Sequence, residues 1–222
     1  MIAAKDTAEA AQFAVAIVGG SCSGKTTVAR ALMHALRPNA VMIAEDDYYH
    51  CSSAVPDFDA RTFNFDVPSS KDHALLKRNL EAARRGEAFD KPLYDFKTHR
   101  RRPESERILP KRFLIAEGMH LLADADLAAL FDLKVFMDTD RKNRMDRRML
   151  RDARERGREP ASIAAQFDAH VEPMHAQYVE PQRALADLVL SYEPGRDIAE
   201  YVRDIAGRMP QLKDDHPRED ET

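Results

Sequence analysis

The 222-residue sequence predicts an α/β fold, a three-layer sandwich in which helices cover both faces of a mostly parallel five-stranded sheet. Three observations support this prediction. Five short apolar runs alternate with segments of helical periodicity, as in βαβ units. A glycine-rich segment joins the first apolar run to the first helix. The length fits one compact domain with small insertions, since domains commonly run to ~100–200 residues.

The first elements form a predicted βαβ unit. Residues 1–12 are polar and alanine-rich and predict an N-terminal arm ahead of a domain at 13–209. Phe13–Val18 is an apolar run that ends in glycines, which predicts a buried strand. Thr26–Leu36 predicts a helix because its apolar residues fall on one side. Val41–Ala44 predicts the second buried strand.

The middle of the chain adds a helix, an insertion and two strands. Ser70 is the predicted N-cap of a helix that continues to Arg85. Residues 87–112 are polar, aromatic and basic, which predicts a small hairpin insertion. The apolar runs Phe113–Ala116 and Leu133–Met137 predict the third and fourth strands.

The next stretch is helical. Residues 141–160 are rich in arginine and predict a helical lid, with its helix over Arg141–Arg156. Ser162–Leu185 predicts a second helical stretch. We expect it to be interrupted near Pro173 and Pro181, because proline lacks the backbone N–H.

The chain closes with a strand, a helix and a tail. Leu188–Leu190 predicts the fifth strand, and Ile198–Met209 predicts the closing helix. Residues 210–222 are acid-rich with little to anchor them, which predicts a disordered acidic tail.

Composition excludes several classes of protein. The chain carries 34 Lys and Arg against 38 Asp and Glu, and its formal charge of −4 argues against generic nucleic-acid binding. No window holds the ~18 apolar residues of a membrane span, and the N-terminus lacks the order of a signal peptide. We therefore expect a cytoplasmic protein without a membrane partner. The 2 cysteines make neither a disulfide framework nor a zinc pattern.

A phosphate-binding motif lies between the first strand and the first helix. Gly19-Gly20-Ser21-Cys22-Ser23-Gly24-Lys25-Thr26 matches the P-loop pattern G-x-x-x-x-G-K-[ST] in full. Glycines let backbone N–H groups surround phosphates, and the helix N-terminus adds partial positive charge. Lys25 is expected to reach the β- and γ-phosphates, and the Thr26 hydroxyl to bind Mg²⁺. The motif predicts nucleotide binding without deciding the fate of the nucleotide.

Cys22 lies inside this loop and has two interpretations. The simpler one is a small side chain that the loop tolerates. The alternative is a redox-sensitive thiol beside the phosphates. Equal rates of inactivation by a thiol reagent in wild type and Cys22→Ser would contradict the alternative.

Carboxylates follow two of the predicted strands. Asp46 comes just after the second strand, and Glu117 comes just after the third. Ligands of open α/β sheets bind beyond the C-terminal strand ends, where a carboxylate can take a proton from a hydroxyl or bind Mg²⁺. An ordinary acidic loop is the other interpretation of Asp46.

Basic residues are concentrated in the predicted lid. A solvated helix face is the simpler interpretation, but cations near a P-loop also suit a polyanionic nucleotide and the charge of phosphoryl transfer. His170 and His175 lack metal-type spacing with the cysteines and are predicted to be structural. The basic residues are Arg141, Lys142, Arg144, Arg147, Arg148, Arg151, Arg154, Arg156 and Arg158.

Several short motifs occur together in one order and spacing. The first four are Gly19–Thr27, Asp46-Asp47-Tyr48-Tyr49, Asn64-Phe65-Asp66-x-Pro68 and Tyr94–Arg100. The fifth is Asp138-Thr139-Asp140, followed by Arg147-Arg148-x-x-Arg151-Asp152 and Glu155–Arg158. The sixth is Pro173-Met174-His175, followed by Val179-Glu180-Pro181 and Ala186-Asp187. In this combination the sequence resembles the uridine kinase (uridine–cytidine kinase) family, within the wider group that includes phosphoribulokinase. The resemblance covers roughly residues 13–191.

The resemblance implies a P-loop NTPase fold, ATP and Mg²⁺ as cofactors, and a homo-oligomer. It implies that Asp46 and Lys25 are catalytic, with Asp46 activating the ribose 5′-hydroxyl. Thr26, Asp46 and Glu117 would bind the metal. The nucleotide would contact Gly19, Gly20, Ser21, Cys22, Ser23, Gly24, Lys25, Thr26, Thr27, Arg148 and Arg151. The nucleoside would contact Asp46, Tyr49, Phe65, Asp66, Tyr94, Phe96, His99, Arg158 and Gln166.

Some residues leave alternatives open. Tyr94 and Phe96 are also consistent with a hairpin core, and His99 with a solvated loop. Val67 stands where the family commonly has histidine, so a different pocket wall is expected. His120 completes a Glu-Gly-Met-His sequence similar to the Glu-Gly-Leu-His of phosphoribulokinases, which predicts that His120 faces an acceptor other than a pyrimidine nucleoside.

Three functions follow from these observations. The first is an ATP-dependent uridine or cytidine 5′-kinase of pyrimidine salvage. The second is a phosphoribulokinase-like or other sugar or riboside kinase. The third, from another class, is a nucleotide-binding regulator with slow NTP hydrolysis, and the acceptor-side residues Tyr94, Phe96 and His99 argue against it.

Overall fold

The computed structural model describes residues 13–60 and 62–210. The predicted N-terminal arm and, beyond Pro210, the predicted acidic tail lie outside the described residues. Within the described part, the strands are β1 Phe13–Gly19, β2 Ala40–Ala44, β3 Phe89–Asp95, β4 Arg100–Ile108, β5 Phe113–Gly118, β6 Leu133–Asp138 and β7 Leu188–Ser191. The α-helices are α1 Lys25–Ala35, α2 His73–Arg84, α3 Ala125–Ala128, α4 Arg141–Arg156, α5 Pro160–Gln166, α6 Glu172–Met174 and α7 Ile198–Ala206.

A five-stranded sheet forms the centre of the molecule. Its strand order is β2-β5-β1-β6-β7, and each neighbouring pair is parallel. The apolar runs therefore form the predicted sheet, and the C-terminal ends of β1, β2 and β5 meet at one edge. This edge is where ligands bind in open α/β sheets.

Helices cover both faces of the sheet, as predicted for a three-layer sandwich. Val15 and Ile17 of β1 pack with α1 and α7 in one core cluster. Ala14 and Ala16, which point to the opposite face, pack with Leu76 and other α2 residues in a second cluster. The alternation along β1 therefore divides the core into two layers, as the period of two in a strand requires.

The predicted hairpin insertion is present as a separate two-stranded sheet. Strands β3 and β4 pair antiparallel, with Tyr94 opposite Arg101. Phe89 and Ile108 pair at the base of the hairpin and join the core cluster of α2. The base of the hairpin is thus anchored in the core, which leaves the residues at its tip available to line a site.

The N-cap prediction for α2 is wrong by two residues. Asp72, and not Ser70, caps the helix, because its carboxylate accepts a hydrogen bond of 2.9 Å from the Leu75 amide. The Ser70 hydroxyl instead donates to the carbonyl oxygens of Phe65 and Val67, at 3.0 and 2.7 Å. Ser70 belongs to a preceding 3₁₀ turn, Pro68–Ser70.

The helical stretch predicted over Ser162–Leu185 begins earlier, and its regular α-helical geometry is interrupted near Pro173 and Pro181, as expected. Helix α5 starts at Pro160 and continues into the π turn Phe167–Val171. Helix α6 comes next, followed by the second π turn His175–Val179 and the 3₁₀ turn Glu180–Leu185. Pro173 and Pro181 each lie in the first turn of the piece that follows a π turn. A first-turn N–H has no intrahelical partner, so proline is tolerated there.

Candidate active site

A cleft of about 1250 Å³ opens at the edge where β1, β2 and β5 end. It brings together the P-loop, the turn after β2, the hairpin tip and the helical lid. Of the predicted site residues, the following line it: Ser21, Cys22, Ser23, Gly24, Lys25, Thr26, Thr27, Asp46, Tyr49, Phe65, Asp66, Tyr94, Phe96, His99, Arg148, Arg151, Arg158 and Gln166. Gly19, Gly20 and Glu117 lie behind this lining.

The P-loop is wrapped tightly at the start of α1. Gly24 precedes the helix with φ 97°, a left-handed conformation that favours glycine. The Ser23 amide donates to the Gly20 carbonyl at 3.1 Å, and the Thr139 hydroxyl donates to the Ser23 carbonyl at 3.0 Å. A Cβ atom on Gly20 would lie 2.8 Å from Nδ1 of His175. A side chain at Gly20 would therefore have to displace His175 and Arg144, which pack against the loop from behind.

Lys25 and Thr26 lie at the first turn of α1. Lys25 is buried, and its ammonium is 3.4 Å from the Gly20 carbonyl, within the loop. The Thr26 hydroxyl donates to Oε1 of Glu117 at 3.0 Å. Burial raises the pKa of Glu117, and the charge of Lys25 opposes this rise. The hydroxyl and carboxylate oxygens of Thr26, Glu117 and Asp46 are the hard ligands that Mg²⁺ prefers, so this donor set fits the ion.

Asp46 belongs to a 3₁₀ turn, Glu45–Tyr48, that follows β2 directly. Its side chain is 43% exposed toward the cleft, and its Oδ1 lies 2.9 Å from Nζ of Lys71. Burial of this carboxylate favours the neutral acid, but the charges of Lys71 and Lys25 outweigh it and hold the pKa of Asp46 below its usual range. A carboxylate that stays ionised can accept a hydrogen bond from an incoming hydroxyl.

A buried carboxylate next to Asp46 was missed in the sequence. Glu45 is fully buried and accepts hydrogen bonds from the Met119 amide at 2.7 Å and from Nζ of Lys71 at 2.8 Å. Nε2 of His73 lies 2.8 Å from its Oε1. Burial opposes ionisation of Glu45, but Lys71 and His73 hold its pKa well below the usual range. Glu45 therefore ties the turn after β2 to the chain that leaves β5.

Aromatic side chains form the end of the cleft next to the hairpin. The ring of Tyr49 lies 5.3 Å from Tyr94 and 5.8 Å from Phe65, and Tyr94 lies 5.2 Å from Phe96. His99 stacks on Phe65 at 4.9 Å. Tyr94 and Phe96 therefore face the cleft instead of forming a closed hairpin core, and His99 is packed instead of solvated. Burial raises the pKa of Tyr94 to about 12, so it is present as the phenol.

Two further expectations about this end are wrong. His120 is fully buried, with Nε2 3.1 Å from the Asp66 carbonyl, and it does not line the cleft. Burial lowers the pKa of His120 to about 4, so it is neutral. Val67 lines a separate cavity of about 410 Å³ instead of the cleft wall. Neither residue is therefore placed to select the acceptor by contact.

Three arginines of the predicted lid share one buried carboxylate. Asp152 is fully buried and lies 3.3 Å from Arg148, 2.9 Å from Arg151 and 3.5 Å from Arg158. Nη1 of Arg148 donates to the Ser21 hydroxyl at 2.9 Å, which links the lid to the P-loop. Gln166 accepts from both Arg148 and Arg158, at 3.1 and 2.5 Å.

The cleft also contains residues that motif reasoning did not assign. The guanidinium of Arg147 lies 4.1 Å from the Tyr192 ring centroid, and it donates to the Cys22 carbonyl at 3.3 Å. Arg196 lies 4.2 Å from the Tyr201 ring. Both guanidinium groups are therefore held in the cleft lining by cation–π contacts. No helix in the described part of the chain has the length and apolarity needed to cross a membrane.

The sequence matches one family model and several named relatives. Residues 14–199 match the model of the "Phosphoribulokinase / Uridine kinase family". A protein named uridine kinase from Brevibacillus brevis is 41% identical over 177 residues, which is 79% of this chain and 83% of the relative. A protein of the same name from Deinococcus deserti is 39% identical over 192 residues, 84% of this chain and 92% of the relative.

Solved structures share the fold at low sequence identity. A putative fructose transport system kinase from Silicibacter sp. superposes with a TM-score of 0.69 and 23% identity, over 83% of this chain and 92% of that one. Phosphoribulokinase from Rhodobacter spheroides gives a TM-score of 0.61 and 15% identity, over 85% of this chain and 73% of that one. These likenesses support the P-loop kinase fold alone.

Proposed function

Because the chain belongs to the phosphoribulokinase and uridine kinase family, we propose that it transfers the γ-phosphate of ATP to the 5′-hydroxyl of a pyrimidine ribonucleoside. Uridine would give UMP, and cytidine would give CMP. The chain is a small-molecule kinase, a phosphotransferase with an alcohol group as acceptor. Relatives about 40% identical over most of the chain carry the name uridine kinase, which favours this acceptor over a sugar phosphate.

One observation carries the proposal: the P-loop, Asp46 and the aromatic side chains of Tyr49, Phe65 and Tyr94 line one cleft. The loop suits a triphosphate, and the rings of Tyr49, Phe65 and Tyr94 suit a planar base. A nucleoside whose base lies against these rings would bring its ribose toward Asp46. The arrangement thus accounts for two substrates that meet at one carboxylate.

The chain's own residues would act in four ways. Asp46 would orient the 5′-hydroxyl and accept its proton. Lys25 and the P-loop amides would hold the phosphates for in-line transfer. Arg148, Arg151 and Arg158 would close on the nucleotide and stabilise the charge that develops on the transferred group. Asp66 and Gln166 would bind the ribose.

Mg²⁺ would be held by Thr26, Glu117 and Asp46, and when bound it supplies positive charge to the phosphate oxygens. The Thr26–Glu117 hydrogen bond supports this assignment, because it already brings a hydroxyl and a carboxylate together. ATP supplies the phosphoryl group as the second substrate.

A nucleoside screen tests the proposal. The enzyme is incubated with ATP and Mg²⁺ and with uridine, cytidine, purine nucleosides or ribulose 5-phosphate, and the products are identified by mass. We expect UMP and CMP from wild type, with Asp46→Asn slower by about 10²- to 10⁴-fold. Preferred turnover of ribulose 5-phosphate would refute the nucleoside acceptor. ATP hydrolysis that no acceptor accelerates would refute the kinase.

A further inference from the structure

The ammonium of Lys71 lies between two consecutive carboxylates. Its side chain is 0% exposed, with Nζ 2.8 Å from Oε2 of Glu45 and 2.9 Å from Oδ1 of Asp46. The ring of Tyr49 lies 4.9 Å from the same nitrogen. A buried lysine is found almost only where its charge is paired, and here both partners are adjacent in sequence.

The backbone on either side of Lys71 is held firmly. Lys71 forms an antiparallel bridge with Tyr49. The His50 amide donates to the Ser70 carbonyl at 3.0 Å, and the Asp72 amide donates to the Tyr48 carbonyl at 2.9 Å. The segment that carries the ammonium is therefore pinned to the same turn that carries Asp46.

The far side of the ammonium is anchored by Glu45. That carboxylate is tied to the Met119 amide at 2.7 Å and to the His120 amide at 3.2 Å. Ligand atoms of Glu45, His73 and His120 lie within 4.8 Å of one another, a spacing that would suit a metal ion. The carboxylate of this cluster is already paired with the Lys71 ammonium, so its negative charge is balanced by a side chain of the protein.

We propose that Lys71 is a positioning residue for phosphoryl transfer: anchored on Glu45, it holds Oδ1 of Asp46 and so orients the carboxylate that receives the acceptor hydroxyl. Oδ1 is buried and is held by the ion pair of 2.9 Å with Lys71 and not by a hydrogen bond of regular geometry, while the Asp46 side chain as a whole is 43% exposed. The carboxylate therefore presents its other side to the cleft. This inference rests on the role proposed for Asp46, and it adds a residue that lies outside the lining of the cleft.

The chain supplies a matched control next to this pair. Lys91 is also buried, and it pairs with Asp47, the residue that follows Asp46 in the same turn. Lys91 also lies 3.2 Å from Glu106 of β4. Replacing Lys91, which lies in β3, by methionine removes a buried ammonium that is paired with the same turn but not with Asp46.

The test compares Lys71→Met and Lys91→Met in steady-state kinetics with the acceptor that wild type uses. Misalignment of a reacting group by about 1 Å can cost ~100-fold, so we expect kcat of Lys71→Met to fall about 10- to 100-fold. KM for both substrates, and ATP affinity measured by calorimetry, should stay within about threefold, because no cleft contact is removed. Lys91→Met should keep kcat within about twofold.

Lys71→Met leaves Glu45 buried without its cation, which destabilises the fold. A second variant therefore separates an effect on catalysis from a loss of folding. Glu45→Gln/Lys71→Met removes both charges, and we expect it to unfold near the wild-type temperature with kcat still low. A folded variant with wild-type kcat, or one in which KM rises and kcat does not fall, would overturn the proposal. Wild-type kcat in Asp46→Asn would instead refute the role of Asp46, so the two failures are distinguishable.

Discussion

Gly118, the last residue of β5, leaves no room for a side chain. A Cβ atom there would lie 2.5 Å from both Cβ and Oε2 of Glu45. Ordinary contacts begin at about 3.4 Å, so Gly118→Ala must push Glu45 aside. Overpacking costs roughly 1–3 kcal/mol, and a lost hydrogen bond to a charged group adds roughly 1.5–3 kcal/mol. We therefore expect Gly118→Ala to lower the free energy of unfolding by about 3 kcal/mol or more.

The assay is thermal unfolding followed by circular dichroism. For a chain of this size, 1 kcal/mol corresponds to roughly 2–4 °C, so Tm should fall by about 10 °C. Gly207→Ala is the control, because Gly207 has the α-helical φ of −64° and a Cβ there would lie 3.3 Å from the Arg203 carbonyl oxygen, a far milder contact than those at Gly118. Its Tm should change by no more than about 2 °C. A Tm for Gly118→Ala within about 3 °C of wild type would show that Glu45 relaxes without loss, and the reasoning would be wrong.

Three further predictions follow from the site. Tyr94→Ala should raise KM for the nucleoside about tenfold or more, since base stacking contributes ~1–3 kcal/mol, and leave KM for ATP unchanged; equal KM values in both enzymes would contradict stacking. Asp152→Asn leaves three lid arginines without their shared carboxylate, so stability should fall by about 3 kcal/mol in urea unfolding, with kcat reduced; wild-type values for both would refute this. Burial and the charge of Arg144 lower the pKa of His175 from 6.5 to about 4. Between these two values the unfolded chain binds a proton that the native state does not, so stability should fall as the pH is lowered from 6.5 to 4. His175→Gln should reduce this slope, with the part due to His120 remaining, and an unchanged slope would contradict the prediction.

The sequence predicts the parts of the site that are local along the chain. The P-loop and the carboxylates at strand ends are read from contiguous motifs, and parallel pairing of β1, β2 and β5 brings them to one edge. The hairpin tip is similar, because Tyr94 and His99 lie within one short segment. In these cases the spacing of residues along the chain determines their placement.

Other features depend on contacts that no local pattern encodes. Lys71 meets Glu45 across 26 positions, and a lysine before a helix looks like surface until the fold buries it. His120 follows a strand end, yet it points into the core beneath Asp66. Ser70 and Asp72 are both good caps, and the hydrogen bonds of Ser70 to Phe65 and Val67 decide between them. These choices are settled by tertiary packing.

The two π turns between α5 and the 3₁₀ turn have a consequence for the register of the chain. Phe167 and Val179 are both buried, but on an unbroken helix of 3.6 residues per turn they would face directions about 120° apart. Each π turn takes up one residue more than an α turn, as the Glu172 amide shows by bonding the Phe167 carbonyl five residues back. Because each π turn absorbs one residue, the twelve steps from Phe167 to Val179 turn the chain only as far as about ten α-helical steps would. Deleting the extra residue of either π turn would therefore restore an α turn and keep the orientation of Val179, whereas deleting a residue from α5 would rotate all that follows by about 100°.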